Sequence, residues 1–289
     1  MPLSIRKSAI SRGQDASSPR SVPRAVDWSL WVGGGLVAII LGLGFIGPLL
    51  LRNPNAMSSY YLVAPMVHGF LLGTDQFGRS ELTRIVWGIR TSLEISFVAI
   101  SGAFIVGTIV GLLSARFPLV DMLAMRVMDV FLAFPAMLMA IGIMAMVGPG
   151  RVGVIEAITV VYIPIFARVS RGPAMEQLTK EYVEAEYALG ASTARVLLRH
   201  VFPNIWPFIV VQLSLAISDA ILIEAALSYL GLGVVPPAAS LGALLESGQS
   251  LMFSAPWTAV FPGVAIALAV LGFNMLGDAL RDKSSVRVK

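Results

Sequence analysis

Six times along its 289 residues the chain enters a stretch of sixteen to twenty-six residues with few or no charges. Roughly twenty such residues are what a helix needs to cross the hydrocarbon of a bilayer. The stretches are Trp28 to Leu51, Leu93 to Ala115, about Met122 to Val147, Val152 to Ala167, Ile205 to about Ile223, and Thr258 to Leu276. Only 13% of residues are charged, about half of the ~25% carried by soluble domains, and the mean hydropathy is +0.81. These features predict an all-α polytopic membrane protein with six transmembrane helices. Trp28 and Trp31 suit the interface at the start of the first span, and Pro164 kinks the fourth.

An even number of spans puts both ends of the chain on one side, and the basic residues choose the side. Of 21 Lys and Arg, 5 precede Trp28, 2 lie at the turn from the second span to the third (Arg116, and Arg126 just inside the third), 5 lie around the segment joining the fourth and fifth, and 4 follow Leu276. The opposite side has 4 between Arg52 and Arg90, then Arg151, and none in the last loop. The positive-inside rule makes the first set cytoplasmic. Residues 1–27 read as a disordered cytoplasmic tail, not a signal peptide, because the apolar run after it starts late and continues too long. Residues 28–51 are the first span, 52–90 an extracytoplasmic loop, 91–280 a core of spans two to six, and 281–289 a basic cytoplasmic tail. Within the core, Ser228 to Trp257 has no Lys or Arg and is rich in Gly and Pro. It reads as a re-entrant or membrane-hugging loop on the outer side, since irregular backbone at membrane depth must be satisfied by protein or water.

Between the fourth and fifth spans lies a charged, helix-forming island, EYVEAEYALGASTARVLLRHVFP, from Glu181 to Pro203. Glu181, Glu184 and Glu186 come early, where a helix dipole favours acids. Gly190 has the placing of a C-terminal stop. Ser192 can cap a second short helix that ends before Pro203. Two short helices joined at one glycine and fixed to the membrane at both ends make a knob on which a partner can push.

The island resembles the cytoplasmic coupling motif of ABC importer permeases. Glu184, Ala185, Gly190 and Pro203 stand in register with it, while Glu186 takes a place where Ala is usual and Phe202 one where Leu is usual. The segments Leu72-Gly73-Thr74-Asp75, Gly78-Arg79, Gly88 to Leu93, Phe134-Pro135, Glu224 to Gly233, Ser254 to Trp257, Phe261 to Gly263 and Asn274 to Asp278 are similar to the second permease subunit of bacterial dipeptide and oligopeptide importers. That resemblance implies the type I ABC importer permease fold in the inner membrane. It also implies coupling helices at 179–203, a second permease as partner, two cytoplasmic ATPases that bind the ATP and Mg, and an extracytoplasmic solute-binding protein. The same group includes nickel, metallophore and glutathione permeases, so the resemblance leaves the cargo open.

Other residues have more local readings. Asp75 and Arg79, four apart, are expected to shape a turn as an ion pair. Glu94, Asp129 and Glu156 fall near span ends. Asp219 and Glu224, late in the fifth span, are candidates for lining a pathway, because acids at that depth usually face an interior or an aqueous path. The methionines from Met122 to Met146 read as adaptable packing, and His200 as a donor at a helix end. Gly102, Gly107 and Gly111 offer a small-residue face where helices approach closely, expected at the contact with the second permease.

With 0 cysteines and 2 histidines, disulfides, thiolate chemistry and a histidine-based metal site are excluded. There is no GxxxxGK[ST] phosphate loop, GxSxG elbow or HExxH helix, so the chain is expected to hold no cofactor and to catalyse nothing itself. Transport energy then comes from an ATPase docked on the knob. The alternative is an ion-coupled secondary transporter in which Asp219 or Glu224 carries a proton, although no inverted repeat with broken helices is evident. A membrane-embedded scaffold is a third reading.

Overall fold

A computed structural model describes residues 28–51 and 53–286; the tail before Trp28 lies outside them. The helices are α1 (Trp28–Phe45), α2 (Gly47–Leu50), α3 (Glu81–Arg116), α4 (Pro118–Ala133), α5 (Ala136–Val147), α6 (Arg151–Leu178), α7 (Glu181–Ala188), α8 (Thr193–Arg195), α9 (Phe202–Tyr229), α10 (Leu241–Gln249) and α11 (Trp257–Val286), with a π turn at Val196–Val201. Among the described residues there is no strand, only isolated bridges such as Met57 with Arg79 and Thr74 with Ser80. Five stretches, built on α1, α3, α6, α9 and α11, are each long and apolar enough to cross a membrane, and α4 with α5, bent by 98° between them, makes a sixth when the pair is taken as one broken span.

The bend divides the third span, read from the sequence as about Met122 to Val147, into two helices. Pro135 has no N–H, and it drives Phe134 before it into extended backbone at φ −90° and ψ 140°, as a proline does to its neighbour. The long loop is also shorter than expected. It ends at Ser80, and α3 begins ten residues before Thr91, with Glu81 buried in its first turn. At 36 residues and 1.5 Å per residue, α3 is about 54 Å long, far more than a bilayer needs. Glu94 accepts from Arg90 Nε at 2.8 Å and Arg151 Nη2 at 2.7 Å, which places the polar boundary there. From Glu94 to Arg116 is about 33 Å. The part of α3 after Glu94 is thus long enough to cross a bilayer by itself.

Three other elements outrun their sequence boundaries. α6 continues through Pro164 and Pro173 to Leu178, and α11 reaches Val286, so most of the basic C-terminal segment is helix rather than tail. The loop from Ser228 to Trp257 contains α10, whose Ser240 side chain accepts from Ala243 N at 3.3 Å as a cap. α10 presents Leu241 and Leu244 to a core shared with α1, α3, α9 and α11.

The glycines of α3 are used inside the chain. An added Cβ at Gly107 would lie 2.6 Å from the Ile163 carbonyl oxygen, and one at Gly111 2.4 Å from that of Ala167. Their face is filled by α6, not left for a second permease, as close approach of small residues permits. Thr159 Oγ1, which donates to Ile155 O at 2.7 Å, lies 3.2 Å from Ala99 O, and Ser170 Oγ donates to Thr108 Oγ1 at 3.2 Å along the same seam. α4 is the reverse case, with no buried residue. Arg171 and Arg168 of α6 hold it through Asp121 and Asp129.

Candidate functional site

The knob closes where the sequence puts its glycine. Gly190 has φ +85°, Ala191 N donates to Glu186 O at 3.0 Å and Gly190 N to Tyr187 O at 3.0 Å. This pair of bonds is the Schellman ending of α7, and it needs the left-handed residue that glycine supplies. Ser192 Oγ then accepts from Arg195 N at 3.4 Å and starts the second arm. That arm does not stop before Pro203. It widens into the π turn, in which Phe202 N donates to Leu197 O, and passes directly into α9. Pro203 sits in the first turn of α9, a place where its missing N–H leaves little unsatisfied.

Val183, Val196 and Val201 are fully buried and close the angle between the arms. His200 Nε2 lies 3.6 Å from Glu186 Oε2 across that angle, so its ring faces a carboxylate instead of helix-end carbonyls. Arg116 Nε donates to Tyr187 OH at 3.3 Å, tying the knob to the end of α3. Glu184, Ala185 and Gly190 are exposed, and so are Leu189 and Leu198, at 84% and 65%. The arms are rigid behind and uncovered in front. None of these cross-ties has a sequence signal, since Arg116 and Tyr187 are 71 residues apart.

The segment Gly73 to Arg79 lies at the other end of the bundle and is architectural. Thr74 Oγ1 donates to Tyr60 O at 2.8 Å and accepts from Val63 N at 2.9 Å. Asp75 Oδ1 accepts from Phe77 N and Arg79 N, and Oδ2 from Arg79 Nε at 2.6 Å, with Arg84 Nε at 3.7 Å. Trp257 at the head of α11 donates from Nε1 to Thr74 O at 3.2 Å. The ion pair at Asp75 does shape the turn, and Arg84 and Trp257 are partners that four-residue spacing could not reveal.

Asp219 and Glu224 do not come together. Five residues at 100° each put them about 140° apart on α9. Glu224 is completely buried; Ser228 Oγ donates to its Oε1 at 2.8 Å, and Ser92 and Ser240 face the same carboxyl. It is sealed between α3, α9 and α10 and lines no open face. Asp219 is exposed on the isolated chain, with the Tyr162 hydroxyl as its hydrogen-bonding neighbour.

Residues 103–289 match the model of the family described as binding-protein-dependent transport system inner membrane component. The chain belongs to that family. This permease is also 40% identical over 261 residues to the dipeptide transport system permease protein DppC of Alkalihalophilus pseudofirmus, covering 89% of this chain and 86% of that one. It is 39% identical to the glutathione transport system permease protein GsiD of Pectobacterium atrosepticum, covering 75% and 73%. Among solved structures, a chain of the inward-facing MetNI methionine ABC transporter superposes with a TM-score of 0.55 at 20% identity, covering 68% of the permease and 95% of that chain. The fold of the permease is thus that of an ABC importer permease, and it is a multi-pass inner membrane protein.

Proposed function

We propose that the permease is one of two membrane subunits of an ATP-driven importer of short peptides. It encloses the pathway together with a second permease, is driven by two cytoplasmic ATPases that bind ATP and Mg, and is supplied by an extracytoplasmic solute-binding protein. The observation that carries this reading is the knob: a helical pair buried on its inner side, with Leu189, Leu198 and Glu184 exposed outward. Large apolar side chains left bare beside polar ones mark a surface meant for a partner. Closure of the ATPases shifts the knob, and the π turn delivers that shift to α9 without a break in the helix. Short peptides are the cargo class because dipeptide and glutathione, which name the two relatives, are both short peptides. No observation favours a proton carrier, since Asp219 and Glu224 occupy separate environments.

Both ends of the chain face the cytoplasm in this reading, so the α10 loop faces outward. A single cysteine in place of exposed Ser250, in a chain with 0 native cysteines, is labelled from outside; labelling only from the cytoplasmic side refutes that orientation. Reconstitution in liposomes tests the whole reading. Uptake appears only with the second permease, both ATPases, the binding protein and ATP present. Accumulation by the permease alone, driven by a proton gradient, overturns it. Gly190→Val and Glu184→Lys are expected to hydrolyse ATP without matching uptake, and normal uptake in both removes the knob from the mechanism.

A further inference from the structure

One stripe of α9 mixes polar and apolar side chains and is partly open. Gln212, Asp219, Leu222, Ala226 and Tyr229 follow one another at helical spacing, and Asp219 and Leu222 are exposed. Glu94, Asp121 and Asp129 each answer an arginine. Asp219 has the Tyr162 hydroxyl as its hydrogen-bonding neighbour, and no salt bridge joins it to a Lys or Arg among the described residues. A carboxylate at this depth is too costly to present to hydrocarbon, so the stripe faces water or protein. Directly along the stripe toward the far end opens a cleft of about 510 Å³, lined by Leu222, Ala226 and Tyr229 of α9, Leu245 and Gln249 of α10, and Ile266 of α11. That volume lies within the ~300–1,000 Å³ range of sites for small ligands, and such sites are mostly apolar with a few polar groups at the edge.

We infer that this face is a transit subsite for cargo bearing an ammonium group and an apolar side chain, the former received by Asp219 and the latter by the cleft. The inference rests on the peptide reading above and adds to it a place within this chain that meets the peptide after the binding protein has released it. Charge chooses the occupant: a lone carboxylate next to an apolar cleft complements an N-terminal amine next to a side chain. The spacing also fits. Leu222 and Ala226 lie about 4.5 and 10 Å from Asp219 along the helix axis, against ~3.3–3.6 Å per residue of extended peptide. A lipid chain would fill the cleft but give Asp219 nothing.

The test uses the full complex, with the second permease, the ATPases and the binding protein, in liposomes, and follows radiolabelled leucyl-glycine and glycyl-glycine. Asp219→Asn is expected to reduce uptake of both about tenfold or more, because the charge-assisted contact is lost, and Asp219→Glu to restore at least half. Asn still accepts from Tyr162, so a purely structural role predicts near-normal uptake by Asp219→Asn, and that result overturns the subsite. Ala226→Phe, which fills the cleft, is expected to lower leucyl-glycine uptake about fivefold relative to glycyl-glycine, in the range a pocket discriminates by apolar volume; equal effects on the two peptides overturn it. A folding-independent arm places cysteine at Ala226. Reaction with a water-soluble methanethiosulfonate, slowed by excess leucyl-glycine, supports the subsite. Reaction only with a lipid-soluble maleimide shows a lipid-facing cleft, no reaction shows one covered by the partner permease, and either overturns it. If the wild-type complex takes up neither peptide, the peptide reading itself falls; if it takes up both and the variants do too, only the subsite falls.

Discussion

At Gly78 the backbone is left-handed, φ +71°, and an added Cβ would fall 2.2 Å from the Ser58 carbonyl oxygen. At Gly190 it is left-handed too, φ +85°, and an added Cβ would meet nothing within 4 Å. The first glycine belongs to a cap at the far end of the bundle that is filled to its backbone. Gly73 is in the same condition, with Val63 O at 2.4 Å and the Trp257 ring nitrogen at 2.9 Å from a Cβ. The second belongs to a knob whose backbone is fixed but whose outer face is empty. Full packing suits a cap that holds its shape. An empty face with a fixed backbone suits a surface that another protein must reach.

The largest expected effect follows from the full end. Gly78→Val forces a branched side chain into both a left-handed backbone and a carbonyl contact, at about 4 kcal/mol or more. The purified protein in detergent should lose most of its cooperative thermal transition or fail to accumulate. A melting temperature equal to wild type would show that the cap yields, and the contrast with the knob would be gone.

Next is Asp75→Ala. Asp75 and Arg79 are nearly buried, with side chains 10% and 12% exposed, and Arg84 shares the carboxylate. Removing one partner of a buried pair costs about 3–5 kcal/mol because the remaining charge is stranded. Asp75→Asn keeps an oxygen for the Phe77 and Arg79 amides and should retain part of that stability in a denaturant titration. Equal losses for Ala and Asn would assign the whole effect to charge.

These two regions were not equally legible in the sequence. Six crossings, the knob, its stop at Gly190 and the cap at Ser192 could be read because each is local: run length, acids at a helix start, a glycine at its end. Two prolines act in opposite ways, and spacing alone did not tell them apart. Pro135 bends the third crossing by 98°, whereas Pro203 enters α9 without a break, since the π turn before it has already shifted the hydrogen bonds. The polarity of a residue could be read, but its facing could not. Asp219 and Glu224 look alike in sequence, and only the 140° between them on a helix leaves one on the open face and the other sealed among serines. The α3 glycines were legible as a close-contact face, but which helix met them was not. Trp257 with Thr74, 183 residues apart, had no trace in the sequence.

At the open end the effects should be smaller in stability and larger in coupling. Gly190→Ala meets no atom, so only the left-handed backbone resists it, at about 1 kcal/mol. The melting temperature should fall by a few degrees at most, while uptake per ATP hydrolysed should fall more steeply. A drop in stability as large as that of Gly78→Val would mean that the knob is packed from a direction the isolated chain does not show.

The smallest effect separates two ways of holding the knob. Its arms are closed by the buried contact of Val183, Val196 and Val201 and by the 3.6 Å approach of His200 to Glu186. That contact is partly exposed, 23% and 33%, and even fully charged solvent-facing pairs contribute about 0.2–1 kcal/mol at best. Burial of a valine contributes about 1.5 kcal/mol or more. Glu186→Gln should therefore shift stability by less than about 0.5 kcal/mol, and the double variant with His200→Ala should be additive within the ~0.3–0.5 kcal/mol expected of uncoupled sites. Val196→Ala, by comparison, should cost several times more, since it empties a fully buried site. A coupling energy above ~1 kcal/mol between Glu186 and His200 would reverse the order. The angle between the arms would then be set by charge, and uptake would respond to salt where ATP hydrolysis did not.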